Sequence, residues 1–280
     1  MRNILKTKFG LLFFFLVSIT ISAQKKDFPR VSNKGKIFVY WGWNRATYSN
    51  SDISFKGNNY DFTLQDVVAY DRPTDFSYND YFKLDRITIP QTNFRIGYFL
   101  NDHYTVSVGV DHMKYVVQSY QTVKINGEIN AGTPFDGVYN NNDIDLINEF
   151  LLMEHTDGLN YVNLEVKRFD EIGHLIGISD ENLQLNITEG IGAGFLYPRT
   201  DIALFNQTAN DEFNVSGWGV SIGAGLNLTF FKHFFIQSDL KYGYIDMSNI
   251  RTTQDPSDTA SQSFTFFEKT LVFGAKFNLF

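Results

Sequence analysis

The 280-residue chain contains no cysteine, which excludes disulfides, thiolate metal sites and a lipoprotein anchor built on an N-terminal cysteine. It also lacks an excess of positive charge. The formal net charge is -7, which argues against nucleic acid as a partner. Long apolar runs are missing after the first 23 residues, so no later segment is a candidate for a membrane-spanning helix. Any insertion into a membrane would have to use strands.

The first 23 residues have the pattern of a secretory signal peptide. A positively charged start is followed by an apolar stretch over residues 11–17, and Ala23 marks the predicted cleavage site. The apolar stretch is too short to favour a membrane-spanning helix. We therefore expect a signal peptide over 1–23 and one mature domain over 24–280, which loses three basic residues and becomes more acidic.

Aromatic residues are abundant, with 28 Phe and 15 Tyr against 3 Trp. The mean hydropathy is -0.20 and 43% of the residues are hydrophobic. This is too polar for a helical membrane protein, but it is usual for a barrel that exposes only alternate residues to lipid. The aromatic side chains could supply the girdles that such a barrel places at the two membrane interfaces.

The segment 269–280 shows this alternation clearly, because successive side chains of a strand point to opposite faces. One face suits hydrocarbon and the other suits a polar lumen. The first face carries Leu271, Phe273, Ala275, Phe277 and Leu279, and the second carries Val272, Gly274, Lys276 and Asn278.

The end of this segment, with Gly274, Phe277, Leu279 and Phe280, resembles the C-terminal assembly signal of bacterial outer-membrane β-barrels. The resemblance implies an integral protein of the outer membrane, in contact with its lipid and lipopolysaccharide. It also implies that the barrel assembly machinery recognises Phe280. Together with the Ser-Ala-Gln at the predicted cleavage site, the terminus resembles those of small outer-membrane barrels of Bacteroidota-type bacteria.

Eight segments with period-two patterning predict an all-β, antiparallel, up-and-down transmembrane barrel. Three short connections would lie at one end and four long external loops at the other. At this size the interior is filled by side chains. The eight predicted strands cover residues 36–48, 88–100, 104–120, 162–167, 185–195, 217–228, 234–244 and 269–280.

The long loops carry a few local signals. In loop 49–85, Asn58-Asn59 predicts a hairpin turn, and in loop 121–157, Asn126-Gly127 predicts another. Apolar residues at helical spacing predict a short helix over 143–154. In the fifth strand, Glu189 falls on the lipid face, where a carboxylate is unfavourable, so we expect a bulge or a neutral acid there.

Charged residues on the inward parity predict an interior ion-pair network, because an uncompensated charge inside a narrow barrel is costly. A path for protons or ions is the alternative interpretation. The predicted members are Arg95, Asp111, Glu165, Lys167, Asp239, Lys241, Glu268 and Lys276.

Cations on the outward parity near the external ends predict a lipid-binding set of Arg45, Lys114 and Lys269, with His112 at the same level. The first and last strands meet when a barrel closes, which should bring Arg45 and Lys269 together. Such cations could hold phosphates of lipopolysaccharide. The alternative is that they are ordinary snorkelling side chains.

Two of the five histidines, His112 and His155, are expected at the external rim with Asp157 and Asp111 near them. A histidine beside a carboxylate can act as a general base, and Ser119 would be a candidate nucleophile. Small barrels that modify lipid A use such residues near the outer leaflet, and omptin-like proteases use Asp and His at the rim. The chain matches neither family's motif, so a histidine without a catalytic role is the alternative.

The acidic residues of segment 141–145 could bind calcium through oxygen ligands, although the glycine and glutamate of the full calcium loop are missing. No other cofactor is expected. The leading functional hypothesis is a non-enzymatic barrel whose loops serve surface binding or assembly with another envelope protein. A lipid A-modifying enzyme using His112 or His155 and a narrow channel for small solutes are the alternatives.

Overall fold

The computed structural model describes residues 32–83, 86, 90–178, 182–207 and 212–278, which belong to one compact unit. The predicted signal peptide over 1–23 and the role predicted for Phe280 lie outside these residues. Across the described ranges, no helix is both long and apolar enough to cross a membrane.

The described residues form sixteen strands, one short helix and one 3-10 turn (Gly173–Ile176). The helix is α1 (Tyr78–Phe82). The strands are β1 (Lys36–Tyr48), β2 (Ser51–Gly57), β3 (Tyr60–Val67), β4 (Ala69–Tyr70), β5 (Thr92–Phe99), β6 (Tyr104–Asp111), β7 (Tyr115–Val117), β8 (Thr122–Ile129), β9 (Gly137–Asp145), β10 (Leu151–His155), β11 (Tyr161–Glu171), β12 (Leu183–Leu196), β13 (Asp201–Leu204), β14 (Gly217–Phe230), β15 (Phe234–Arg251) and β16 (Thr259–Asn278).

Eight of these strands close into a barrel. Strands β1, β5, β6, β11, β12, β14, β15 and β16 pair in that order, each antiparallel to the next. Strand β1 also pairs with β16, from Lys36 opposite Asn278 to Tyr48 opposite Phe266. The ring therefore has no free edge, and the predicted eight-stranded up-and-down barrel is confirmed.

Alternation along each strand decides which side chains face inward. In β11, Glu165 is buried while its neighbour Leu164 is 56% exposed, and in β14, Ser221 is buried while Ile222 is 60% exposed. Strand β1 has aromatic residues on both faces, and here Phe38 and Tyr40 point into the barrel. The lumen is thus polar and the outer wall apolar, as the period-two pattern predicts.

Three connections at one end of the barrel are short, and we call this the short-turn end. In the first, the Asn101 side chain accepts hydrogen bonds from the backbone N–H groups of His103 and Tyr104, both at 2.9 Å. In the third, Phe231 and Lys232 adopt positive φ angles of 53° and 67°. These tight turns bring neighbouring strands directly into register.

The other end of the barrel continues into a second β-structure, which we call the extension (β2–β4, β7–β10 and β13). Strands β2, β3, β8 and β9 prolong the barrel sheet from the upper part of β16, where Gln262 lies opposite Ile53. A separate four-stranded sheet has the order β13, β10, β7, β4. The loops that were expected to be polar therefore fold partly into a prolongation of the barrel sheet and partly into a second sheet.

A hydrophobic core holds the extension together and continues onto the inner faces of β15 and β16. Its aromatic centre joins Phe55, Phe62, Phe150 and Phe205, with ring centroids between 5.2 and 6.1 Å apart along the chain of contacts. Further fully buried members are Ile53, Leu64, Val67, Met113, Tyr115, Ile125, Leu146, Leu159, Ile245, Met247 and Ile250.

Of the two hairpin turns predicted in this region, one is confirmed and one is wrong. The Asn58-Asn59 turn does join β2 to β3, because Gly57 lies opposite Tyr60. Asn126-Gly127 instead lies inside β8, at a bulge that leaves Asn141 of β9 unpaired. The actual β8–β9 turn surrounds Asp136, whose carboxylate accepts the backbone N–H groups of residues 131–133 at 2.9–3.0 Å.

The helix predicted over 143–154 is absent from the structure. Residues 143–145 end β9, residues 148–150 form a turn, and Leu151 begins β10. The residues at helical spacing instead pack against the core of the extension from either side of this turn; they are Ile144, Ile147, Leu151 and Met153. Tertiary packing overrides the local periodicity here.

The bulge predicted at Glu189 is also absent. Strand β12 pairs without interruption on both sides, and Glu189 lies opposite Arg168 of β11 and Ala224 of β14. The Glu189 side chain is exposed. A cross-strand cation beside the carboxylate offsets its placement on the outer wall.

Candidate functional site

Seven buried ionisable side chains of the described lumen are linked in one ion-pair network, which we call the lumen cluster. Lys167 lies 3.0 Å from Asp239 and 3.4 Å from Glu165, and Arg95 lies 3.6 Å from Asp111. Lys241 contacts both Asp111 and Glu268. The cluster comprises Arg95, Asp111, Glu165, Lys167, Asp239, Lys241 and Glu268, all at most 5% exposed.

Neutral polar groups complete the lumen cluster. The Asn93 amide donates to Asp111 at 2.7 Å and to Glu268 at 3.0 Å. Arg95 donates to the Tyr40 hydroxyl at 3.0 Å and to the Asn163 side-chain oxygen at 2.7 Å. Glu268 Oε2 has no hydrogen-bond partner and lies 3.5 Å from Lys241 Nζ, so it is balanced by charge alone. A buried network linked in this way restrains the side chains of the interior. The arrangement is a cross-linked plug that fills the lumen.

Lys276, predicted as a member of this network, lies apart from it. Its side chain is 3% exposed near the short-turn end, with Nζ 5.8 Å from the centre of the Phe99 ring. It lines a cavity of about 10 Å³ together with Phe38 and Phe235, roughly the space of one water molecule. Within the described chain, no carboxylate forms an ion pair with it, although Glu165 and Lys167 of the lumen cluster also line this cavity.

On the outer wall, barrel closure brings Arg45 and Lys269 together. The β1–β16 register places them directly opposite each other, and both side chains are exposed. The Arg45 guanidinium donates to the backbone oxygen of Asn44 at 2.7 Å and to the Tyr81 hydroxyl at 3.2 Å. The Lys269 Nζ lies 5.9 Å from the centre of the Phe267 ring. This pair forms a small patch of positive charge at the seam.

Lys114, predicted in the same lipid-binding set, is held elsewhere. Its ammonium donates to Thr74 Oγ1 at 3.0 Å, so it ties down the segment that leads into α1. Burial, together with the nearby Arg72 guanidinium, lowers the pKa of Lys114. Lys114 therefore has a structural role through this hydrogen bond and does not act together with Arg45 and Lys269.

The three predicted catalytic residues each have a different direct partner, although the charge of Asp157 acts on His112. His112 Nδ1 lies 2.8 Å from Asn160 Oδ1, and burial lowers its pKa. Asp157 forms an ion pair with Arg199 at 2.9 Å and leaves 61% of its side chain exposed. Gly158, with a φ angle of 117°, packs so closely against His112 that a Cβ there would lie 2.6 Å from Nδ1.

His155 corrects the sequence prediction most clearly, because it is not at the rim. It is fully buried in the core of the extension, with Thr200 Oγ1 2.9 Å from Nδ1 and the Gln262 amide 3.5 Å from Nε2. Its third neighbour is the Tyr115 ring at 5.6 Å. Burial lowers the pKa of His155 to about 3. A neutral imidazole locked among uncharged groups is a core residue.

The candidate calcium ligands lie in β9, which has a bulge at Asn141. Asp143 forms an ion pair with Lys124 at 2.7 Å, and Asp145 accepts a hydrogen bond from Thr122 at 2.6 Å. Over the described part of the chain, no group of three or more His, Asp or Glu side chains is arranged to hold a metal ion.

Comparison with known proteins gives only structural likenesses. No family model matches the chain, and no curated protein matches it. The chain is similar to the solved structure of the outer membrane protein OprG from Pseudomonas aeruginosa at 13% identity and a TM-score of 0.40, over 88% of this chain and 97% of that one.

Two further solved structures are similar to the chain. Ail, the attachment invasion locus protein of Yersinia pestis, is 12% identical with a TM-score of 0.34, over 87% of this chain and 99% of that one. Neisserial surface protein A is 9% identical with a TM-score of 0.34, over 87% of this chain and 100% of that one.

Sequence reasoning missed the segment around α1. It lies outside the barrel wall, with Tyr81 5.7 Å and Phe82 5.9 Å from the Trp43 ring. Phe76 and Tyr78 are 76% and 72% exposed. The available signal was four aromatic residues within seven positions of an otherwise polar segment.

Acidification is expected to destabilise the extension through His155. Its folded-state pKa of about 3 lies below the ordinary 6.5, so the unfolded chain binds a proton first. The neutral His155 therefore contributes its full stability above pH 6.5, and this contribution is lost as the pH falls. At pH 5 the free energy of unfolding should be lower by about 2 kcal/mol. Calorimetric melting of the extension at pH 5, 6 and 7.5 would measure this loss.

The matched control is His155→Gln, which keeps a hydrogen-bonding side chain but cannot titrate. Its melting temperature should vary less between pH 7.5 and pH 5 than that of the wild-type chain. Equal pH dependence in both proteins would show that His155 is not the titrating group.

Proposed function

We propose that this chain is an integral outer-membrane protein in which a plugged barrel anchors a folded extension that binds a partner at the cell surface. The observation that supports the second half is the hydrophobic core of the extension. Ordered strands from three separate connections give a surface of defined shape, which flexible polar loops would not provide.

The outer wall supports a membrane location. A continuous apolar belt in contact with water would be unfavourable, and it suits hydrocarbon. The belt includes Phe94, Val108, Leu164, Ile191, Ile222, Leu240 and Phe273, each between 42% and 65% exposed. The predicted signal peptide and the resemblance of the terminus to an assembly signal support the outer membrane in particular. In that membrane the long connections face outward and the short turns face the periplasm.

The lumen cluster argues for an anchor rather than a conduit. Four carboxylates and three cations cross-link the interior, and a solute would have to displace them. Because His112, His155 and Asp157 each have a different hydrogen-bond or ion-pair partner, the lipid A-modifying enzyme has no assembled site among the described residues.

The distal end of the extension offers a concave polar surface for the partner. A pocket of about 260 Å³ lies between the β2–β3 turn and the end of β8. Amide and carboxylate groups line it, which suits a partner that presents hydrogen-bond donors. The lining residues are Gly57, Asn58, Asn59, Tyr60, Asp61, Glu128 and Asn130.

The free edge of β9 is a less suitable surface. The Asn142 side chain accepts the backbone N–H of Asn140 at 2.7 Å, and Asn126 accepts that of Asn141 at 2.8 Å. Asn141 itself has a positive φ angle of 57°. A bulge with occupied donors discourages the addition of a further strand.

Single cysteines in this cysteine-free chain test the proposal. Asn58→Cys, at the distal pocket, should react with a membrane-impermeant maleimide on intact cells. Leu175→Cys, 67% exposed at the short-turn end, should react only after the outer membrane is made permeable. A photoactivatable crosslinker attached at position 58 should then give a discrete adduct on cells.

Two results would contradict the proposal. Labelling of both cysteines on intact cells, or of position 175 alone, would overturn the location and orientation. Correct labelling without any adduct from position 58 would overturn the distal pocket as the binding surface, while leaving the membrane location intact.

A further inference from the structure

We propose that the seam between the first and last barrel strands binds a phosphorylated lipid of the outer leaflet, through Arg45 and Lys269, with α1 contacting the lipid chains. This site rests on the membrane location proposed above. It is separate from the distal pocket and would be occupied by lipid while the extension binds its partner.

The seam carries two adjacent positive charges. Arg45 and Lys269 are directly opposite each other in the β1–β16 ladder, a position in which like charges destabilise a sheet. Neither forms an ion pair with a carboxylate of the described chain. Asp71 interacts electrostatically with Arg45 but forms no ion pair with it. The Asp71 carboxylate accepts hydrogen bonds from the backbone N–H of Ala46 at 3.0 Å and from the Gln91 amide at 2.5 Å. An anion between the two cations would turn their repulsion into attraction.

Hydrogen bonds orient the Arg45 side chain. Its guanidinium donates to Asn44 and to the Tyr81 hydroxyl, and that hydroxyl donates to the Thr74 backbone oxygen at 2.7 Å. Tyr81 is 5% exposed, so this support is firm. A guanidinium carries five N–H donors, and those not used here remain for phosphate oxygens. A preoriented fork of this kind suits phosphate.

Aromatic rings beside the two cations favour an anion that is part of a lipid. The exposed rings of α1 extend the lipid-facing wall: Tyr78 stacks on Phe82 at 5.5 Å, and Phe82 contacts Trp43, which contacts Phe273, each at 5.9 Å. Aromatic rings at this level are typical of the boundary between headgroups and hydrocarbon. A free phosphate would use the cations but not the rings.

The position of α1 is determined by two contacts and a cap. Lys114 binds Thr74, Arg45 binds Tyr81, and the Ser77 hydroxyl accepts the backbone N–H of Asp80 at 3.1 Å. The segment therefore meets the membrane as a fixed element beside the cations.

The test measures lipid A bound to the purified barrel by native mass spectrometry in mild detergent. The variants are R45Q, K269Q and their combination. Each single substitution should weaken lipid A binding by about tenfold, because each removes a charged hydrogen bond to phosphate. The double variant F76S and F82S should weaken binding of lipid A without changing any competition by inorganic phosphate.

R168Q is the matched control. Arg168 is also an exposed cation on the outer wall, but it is already paired with Asp170 at 2.7 Å, so its loss should leave lipid A binding unchanged. Heat-modifiable mobility on gels would verify that every variant is folded.

Several outcomes would overturn the site. Equal binding by the wild type and by R45Q with K269Q would do so, as would an equal loss in R168Q. If lipid A that lacks phosphate bound as tightly as the phosphorylated form, the cations would have no role. If inorganic phosphate competed fully, the lipid chains would have no role. Cysteine labelling that still places the barrel in the outer membrane would separate these results from a failure of the proposed location.

Discussion

Replacing Lys241 with methionine is expected to lower the free energy of unfolding of the barrel by about 3–5 kcal/mol. Lys241 is the cation in contact with Glu268, and it also contacts Asp111. Its loss leaves two buried carboxylates with one fewer counter-charge, in a lumen cluster that already has more acids than bases. Urea titration in lipid vesicles would measure the change through the fluorescence of Trp41, Trp43 and Trp218, which all lie in barrel strands.

The same substitution at Lys276 is the control, and it should act in the opposite direction. Lys276 is as buried as Lys241 but has aromatic neighbours and no carboxylate partner in the described lumen. Methionine fills a similar volume without a charge, so K276M should raise the free energy of unfolding by about 1–4 kcal/mol. Equal destabilisation by both substitutions would show that shape, rather than charge pairing, determines the stability of the lumen.

Replacing Phe62 with alanine is expected to destabilise the extension by about 3–5 kcal/mol. Phe62 is 1% exposed and packs against Phe55, Phe150 and Phe205 at the centre of the core. The barrel should survive, because its eight strands close a complete hydrogen-bonded ring without the extension. Limited proteolysis should therefore cleave the variant within the extension, in β2–β4, β7–β10 or β13, and leave the barrel strands protected.

Tyr120→Ala is the control for this loss. Tyr120 is 70% exposed on the same extension, so its truncation removes little packing and should leave protection unchanged. If F62A remained as resistant as the wild type, the core would not hold the extension together. If F62A lost the barrel as well, the two parts would unfold as one unit.

The long strand β16 connects these predictions. Its lower part closes the barrel against β1 and carries Lys269 and Lys276, and its upper part pairs with β2. One strand therefore continues from the barrel wall into the extension. A surface built in this way is held rigidly relative to the membrane, which is useful for binding a partner of defined shape.

Much of the barrel was predictable from the sequence, because its signal is local. Side chains alternate with period two along each strand, so Leu164 beside Glu165 and Ile222 beside Ser221 already indicate one apolar and one polar face. The meeting of Arg45 with Lys269 followed from closure alone, since the first and last strands of a ring must be neighbours. The inward parity likewise named the seven members of the lumen cluster, because their direction depends only on strand register.

The extension, the burial of His155, the isolation of Lys276 and the place of α1 were decided only by the tertiary structure. They depend on contacts between residues far apart in the chain, such as Ile53 with Gln262 and Tyr115 with His155. A polar composition does not reveal that several loops can bury their few apolar residues together, because the hydrophobic free energy arises only when all of them meet. Period-two alternation is a property of one strand, whereas a shared core is a property of the whole set.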